Sequence, residues 1–138
     1  MQGAAVTYSI VKRWHEIVKS RDIASLKALL ADDVIFESPV VHTPQNGSAI
    51  TAKYLAAALH VLNNDTFEYL NEWLGSDSAV LEFETTCDGI LINGVDMIKW
   101  NDEGLITHFK VMIRPLKAVN KIHELMGQML RLDAAQQR

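Results

Sequence analysis

Apolar and polar side chains alternate through Gly94-Val95-Asp96-Met97-Ile98-Lys99-Trp100, and a period of two is typical of a β-strand. On this pattern Asp96 shares one face with Ile98 and Trp100, whereas Lys99 lies on the opposite face. Because Lys99 needs water, the face that carries Ile98 and Trp100 is predicted to be buried. A carboxyl group on a buried face must be paired, hydrogen-bonded or protonated, since burial of a bare charge is costly. Asp96 is therefore predicted to lie at the centre of a small pocket.

Helical and strand patterns are segregated along the chain. Helical periodicity predicts one helix over 5–20, a second after Asp22, a third from Gly47 and a fourth after Pro115. Strand patterns cover 34–38, 66–74, 79–87, 90–100 and 105–114. Segregation of this kind indicates an α+β fold in which a curved, mainly antiparallel sheet has helices on one face. The open end of such a cone is a natural place for a ligand.

Composition limits the possible functions. The 138 residues fit one domain, 1–138, and 49% of them are hydrophobic. A net charge of −4 argues against nucleic acid as the main partner. The single cysteine, Cys87, excludes an internal disulfide and a cysteine-based zinc site. The five histidines show no metal-ligand spacing and no glycine-rich phosphate loop occurs, so neither a metal nor a cofactor is predicted.

Targeting signals give a further expectation. No apolar run is long enough to span a membrane, and the N-terminus lacks the pattern of a signal peptide. We therefore expect a cytoplasmic protein without a membrane partner.

Strand alternation also separates the two faces of the sheet. The predicted inward set comprises Leu81, Phe83, Phe109, Val111 and Ile113. The outer set mixes charged and apolar groups, namely Glu82, Glu84, Val95, Met97, Lys99, His108, Lys110 and Met112. A mixed face of this kind can pair with a copy of itself, because a two-fold interface has to match only its own patch. We predict a homodimer through this outer face, against the alternative of a solvated sheet surface.

Several stretches carry a family resemblance. They are Arg13-Trp14, the run Ala31–Pro39, Gly47, Val95–Ile98, the run Asn101–Ile106 and the closing Val111–Ala118. With the order of elements, they resemble the SnoaL-like branch of the nuclear transport factor 2-like superfamily, which is related to ketosteroid isomerase. The resemblance covers nearly the whole chain and implies a cone-shaped, cystatin-like sheet wrapped around the N-terminal helices, with a C-terminal helix. It implies little about activity, because this fold hosts many unrelated functions.

Comparison with ketosteroid isomerase assigns roles to three positions. That enzyme uses an aspartate base and an oxyanion hole made by a tyrosine and a protonated aspartate. The protonated aspartate falls on Asp96, the tyrosine on Trp14 and the base on Ser38. Serine is a poor base unless it is activated, and tryptophan has no phenol. The resemblance therefore argues against ketosteroid isomerase activity, while it keeps one acid in the pocket.

We predict that the chain binds a small, mostly apolar, oxygen-bearing molecule, with Asp96 as the candidate catalytic residue. The predicted lining residues are Trp14, Phe36, Ser38, His42, Tyr54, Leu81, Phe83, Ile98, Trp100, Phe109, Val111 and Ile113. If the chain is an enzyme, cofactor-free acid–base chemistry such as isomerisation, dehydration or cyclisation fits these groups. Two alternatives stay open at this point, a binder without catalysis and an interaction domain that acts through the outer sheet face.

Overall fold

The computed structural model describes residues 2–136, with side chains described over 9–131. This part of the chain forms four helices, α1 (Gln2–Ser20), α2 (Ile23–Leu29), α3 (Ser48–Leu62) and α4 (Leu116–Gln136). Its six strands are β1 (Leu30–Glu37), β2 (Gln45–Asn46), β3 (Glu68–Leu74), β4 (Ser78–Cys87), β5 (Ile90–Trp100) and β6 (Ile106–Arg114). The predicted α+β order is confirmed, although β1 begins earlier than the sequence pattern indicated. No helix within the described residues is both long enough and apolar enough to cross a membrane.

The strands form one curved sheet in the order β2-β1-β6-β5-β4-β3. Strands β3 to β6 are an antiparallel meander, and β1 joins the sheet by pairing with β6 in parallel. Asp96 lies on β5, near the middle of the sheet, with Leu81 of β4 and Val111 of β6 as its direct neighbours. The alternation of inward and outward residues predicted for these three strands is confirmed. Alternate residues are buried in β4 and in most of β5, and Phe109 and Val111 are buried in β6.

Local signals at two helix starts act as the sequence predicted. The side chain of Asp22 caps α2 by accepting a hydrogen bond from the Ser25 backbone N–H at 3.2 Å. Gly47 precedes α3 with a φ of 107°, a conformation that favours glycine. These two signals therefore mark where α2 and α3 begin.

Gly94 permits a close approach beside Asp96. It pairs with Phe83 across β4 and β5, and the Phe83 ring lies over it. A β-carbon at position 94 would lie 2.6 Å from Phe83 Cζ and 2.7 Å from the Met112 carbonyl oxygen. The missing side chain therefore leaves space for the Phe83 ring on the inner face.

An irregularity in β3 decides which aromatic side chains point inward. Tyr69 pairs with inward-facing Phe83, but the register shifts between Tyr69 and Asn71. After this shift Trp73 pairs with Val80 on the outer face, where 55% of its side chain is exposed. Tyr69 is half-buried on the inner face. Because of the bulge, the Tyr69 phenol lies on the inner face and the Trp73 indole lies on the outer face.

Candidate functional site

A cavity of about 230 Å³ lies between the inner face of the sheet and helices α1, α3 and α4. Most of its wall is aromatic or aliphatic, and six of the lining side chains carry polar atoms. These six are Trp14, Ser38, Tyr54, Tyr69, Asp96 and His123. Neither lysine nor arginine is present among the described lining residues.

Three side chains from three elements form a hydrogen-bonded row at one side of the cavity. Trp14 of α1 donates its indole N–H to the Tyr69 hydroxyl at 2.9 Å, and that hydroxyl donates to Asp96 Oδ2 at 2.7 Å. An indole can only donate and a phenol carries one proton, so both bonds run towards the carboxyl group. The other oxygen, Oδ1, has no protein partner within the described residues and is left to the cavity.

The aromatic surroundings hold this row in place. The ring centroids of Trp14 and Phe109 are 4.9 Å apart. Phe67 packs edge-on against Tyr69, with their ring centroids 5.1 Å apart. Phe83 also packs edge-on against Tyr69, with ring centroids 6.4 Å apart. Perpendicular contacts of this kind suit the charge distribution of aromatic rings and limit the rotation of the phenol.

Burial controls the ionisation of the row. Only 7% of Asp96 is exposed, and loss of solvent raises the pKa of its carboxyl group to about 7, although the hydrogen bond from Tyr69 lowers it in part. Burial, followed by the nearby Asp96 charge, raises the pKa of the Tyr69 phenol well above its ordinary value. Tyr69 therefore stays a neutral donor, while Asp96 exchanges its proton near neutral pH.

The remaining polar groups differ in how far protein atoms satisfy them. Ser38 Oγ accepts from the backbone N–H groups of Val40 at 3.0 Å and Val41 at 3.1 Å, so it is turned towards its own loop. Tyr54 is half-buried, with its ring 5.7 Å from the Phe36 ring. Its hydroxyl makes no hydrogen bond to any described residue. The Tyr54 hydroxyl is thus able to offer a second hydrogen bond to a ligand.

The structure brings nine of the thirteen predicted site residues to the cavity wall. They are Trp14, Phe36, Ser38, Tyr54, Phe83, Asp96, Phe109, Val111 and Ile113. The other four lie elsewhere. His42 is exposed in the loop before β2, and Leu81, Ile98 and Trp100 are buried in the core away from the cavity. Strand parity predicts which face a side chain occupies but not how far the cavity extends along that face. The prediction therefore included core residues that lie outside the cavity.

Sequence reasoning missed Tyr69 and the contribution of α4. The signal for Tyr69 is its shared parity with Phe67 in the predicted strand over 66–74. Helix α4 adds His123, Met126, Gly127 and Leu130 to the wall. Met126 and Leu130 belong to the apolar stripe of this helix, and that stripe was the available signal.

A metal centre and a reactive thiol would each show a particular pattern among the described residues. The described residues contain no cluster of three or more histidine, cysteine, aspartate or glutamate side chains suited to a metal ion. Cys87 is buried with its Sγ 3.5 Å from the Val61 carbonyl oxygen, and burial raises its pKa. A thiol of this kind acts as a small apolar side chain rather than a nucleophile.

Many solved structures are similar to this chain, whereas the comparison with curated proteins found no match. A steroid delta-isomerase from Pseudomonas aeruginosa is 32% identical, with 95% of this chain and 96% of that chain covered and a TM-score of 0.89. An uncharacterised protein with a cystatin-like fold from Silicibacter pomeroyi is 30% identical, with coverage of 91% and 88% and a TM-score of 0.84. An NTF2-like protein of unknown function from Mesorhizobium loti shares the fold at 19% identity, with coverage of 80% and 93% and a TM-score of 0.69.

The sequence itself gives the family. Residues 11–109 match the SnoaL-like domain, a segment that contains the whole Trp14–Tyr69–Asp96 row. The fold, with its curved sheet and C-terminal helix, agrees with this match and with the solved relatives. The chain therefore belongs to the SnoaL-like domain family, within the nuclear transport factor 2-like superfamily.

Proposed function

We propose that this protein binds a small, mostly apolar molecule through a carbonyl or hydroxyl oxygen at Asp96, and that Asp96 exchanges a proton with it. The observation that carries the proposal is the row from Trp14 through Tyr69 to Asp96, which ends with one carboxyl oxygen at an apolar cavity. In a mostly apolar site, a few placed polar groups such as Asp96 fix the orientation of a ligand.

The size and lining of the cavity favour a compact ligand. A volume of about 230 Å³ is below the roughly 300–1,000 Å³ usual for drug-sized ligands, so the bound part of the molecule is small. The absence of lysine and arginine from the described wall favours a neutral compound, since an anion there would face Asp96 without a counter-charge.

The proton on Asp96 decides which oxygen the site prefers. The protonated acid can donate to a carbonyl oxygen, whereas the carboxylate can accept from a hydroxyl group. Because the pKa of Asp96 lies at about 7, both forms are populated near neutral pH. This is the condition under which a carboxyl group serves as a general acid or base.

The reaction class that fits is cofactor-free isomerisation, dehydration or cyclisation. The name of the similar Pseudomonas aeruginosa protein favours isomerisation, but the position of the ketosteroid isomerase base is occupied by Ser38. Both hydrogen bonds that Ser38 accepts come from backbone N–H groups, and no described side chain activates it as a base. We therefore infer an acid–base role for Asp96 on a compound other than the ketosteroid substrate.

A thermal-shift screen with neutral carbonyl and hydroxyl compounds tests this proposal, because a ligand that binds only the native state raises its stability. We expect a carbonyl ligand to stabilise the parent protein more at about pH 6 than at about pH 8, where Asp96 is ionised. Asp96→Asn should abolish turnover, while Ser38→Ala serves as a control at the cavity wall that leaves the acid intact. A ligand whose binding and turnover both survive Asp96→Asn would contradict the proposal.

The outer sheet face supports a second proposal, that two copies of this chain form a dimer. Met112 is 56% exposed, Met97 is 37% exposed and Trp73 is 55% exposed, all on this face. The Glu37–Lys110 ion pair at 3.5 Å places opposite charges on the same surface. Apolar groups together with both signs of charge suit a self-complementary interface.

A further inference from the structure

A basic groove lies on the surface formed by α2, α3 and α4, with a volume of about 770 Å³. Leu59 and Leu130 line both this groove and the Asp96 cavity, so the two spaces share a wall. Much of the lining of the groove is apolar, and the small side chains that α3 contributes are called the alanine floor, namely Ala49, Ala52, Ala56 and Ala57. Its size falls within the roughly 300–1,000 Å³ of small-molecule sites.

The charges around the groove oppose the charge of the whole chain. Arg21, Lys27 and Lys53 line it, together with His60, and no described lining residue is acidic. The chain as a whole has a net charge of −4, so this is a local concentration of positive charge. The Arg21 guanidinium donates to the Asn63 carbonyl oxygen, which holds one of these charges in position. A positive rim around an apolar floor attracts an anion that also carries an apolar part.

We propose that this groove binds a free, single-chain amphipathic anion, with its apolar chain on the alanine floor and its phosphate or carboxylate head at Arg21 and Lys27. A purely polar anion would leave the alanine floor in contact with water. A bilayer surface is less well matched, because the negative charge of the rest of the chain repels anionic lipid. The proposal goes beyond the function inferred for Asp96 and does not depend on it.

The contrast with the Asp96 cavity assigns such an anion to the groove. The cavity wall carries a carboxyl group and, among its described residues, no lysine or arginine, whereas the groove has the reverse composition. An anionic head is therefore disfavoured in the cavity, on one side of Leu59 and Leu130, and favoured in the groove on the other side. The two sites select for opposite properties of the ligand, although they share two side chains.

Calorimetric titration with decyl phosphate below its micelle concentration, at low ionic strength, tests the proposal. We expect one molecule bound per chain and an affinity about tenfold lower for Lys27→Glu, since loss of an exposed charge lowers affinity about fivefold at most and charge reversal adds repulsion. Lys117→Glu is the matched control, because it makes the same charge change at an exposed position on α4 outside the groove. Asp96→Asn should leave this affinity unchanged, which separates the groove from the cavity.

The proposal would be overturned by no binding of decyl phosphate, by equally tight binding of decanol, by equal weakening in Lys117→Glu and Lys27→Glu, or by loss of binding in Asp96→Asn. Attachment to anionic vesicles without binding of the monomeric phosphate would overturn it as well. Two results together would support it. Binding to the parent protein should weaken with added salt, because salt screens an exposed ionic contact, and of the two lysine variants only Lys27→Glu should bind more weakly.

Discussion

Replacement of Asp96 by asparagine should stabilise the protein increasingly as pH rises. Asparagine has nearly the same shape and can still accept the hydrogen bond from Tyr69, but it never ionises. At low pH the native carboxyl group is neutral as well, so parent and variant should have similar free energies of unfolding. Their free energies of unfolding should diverge only at pH values where native Asp96 keeps a proton that the unfolded chain has released.

The magnitude follows from the shift in the pKa. Burial raises the pKa of Asp96 from 3.8 to about 7, so between these values the native state binds more protons than the unfolded state. Stability contributed by this group is thus complete below about pH 4 and is lost as pH rises to about 7. Each unit of difference in pKa corresponds to about 1.4 kcal/mol. Above neutral pH the free energy of unfolding of Asp96→Asn should therefore exceed that of the parent by about 4 kcal/mol.

Urea unfolding of both proteins at one fixed protein concentration, from about pH 4 to about pH 8, measures this difference. Asp102→Asn is the control, since it removes a carboxyl group from the exposed turn before β6. The expected result is a parent–variant difference that grows with pH for Asp96 alone. A difference that stays constant within about 1 kcal/mol across the range would refute the assignment of a buried, proton-holding carboxyl group.

Three further substitutions test the row, the packing beside it and the outer face. Tyr69→Phe should cost about 1–3 kcal/mol of stability, because it leaves a buried indole N–H unpaired. It should also raise the pKa of Asp96 further in an NMR titration, and a lowered pKa would contradict the direction assigned to that hydrogen bond. Gly94→Ala should destabilise by about 1–3 kcal/mol in urea, because its β-carbon would meet the Phe83 ring; an unchanged midpoint would count against this contact. Met112→Asp should increase the monomer fraction in sedimentation, and a parent protein that is already monomeric would end the dimer proposal.

The fold was predictable to the extent that burial follows a simple period. In β4 every second residue faces the core, so buried and partly exposed residues alternate without interruption from Ala79 to Cys87. In β3 the same reasoning fails after Tyr69, because the bulge adds one residue and moves Asn71 and Trp73 to the outer face. Nothing in the spacing of polar and apolar residues marks the position of such a bulge.

The position of Asp96 at the cavity wall was predictable, and its hydrogen-bond partner was not. Asp96 stood out because a carboxyl group shares a face with Ile98 and Trp100. Tyr69 was not recognised, because its partner Asp96 is 27 residues away and the contact depends on the order of strands in the sheet. His42 was selected for its residue type and its place in the loop between Pro39 and Pro44, but the path of that loop keeps it exposed to solvent.

The direction of the hydrogen bonds limits the chemistry that the site can support. In the ketosteroid isomerase arrangement a tyrosine and a protonated aspartate both donate to the substrate oxygen. Here the proton of Tyr69 points to Asp96, so the row offers a ligand oxygen one donor, the protonated acid. Loss of one oxyanion donor typically lowers kcat by about 10²–10³. The arrangement therefore suits recognition of a neutral carbonyl and proton transfer by Asp96 better than strong stabilisation of an oxyanion, unless Tyr54 supplies the second hydrogen bond from α3.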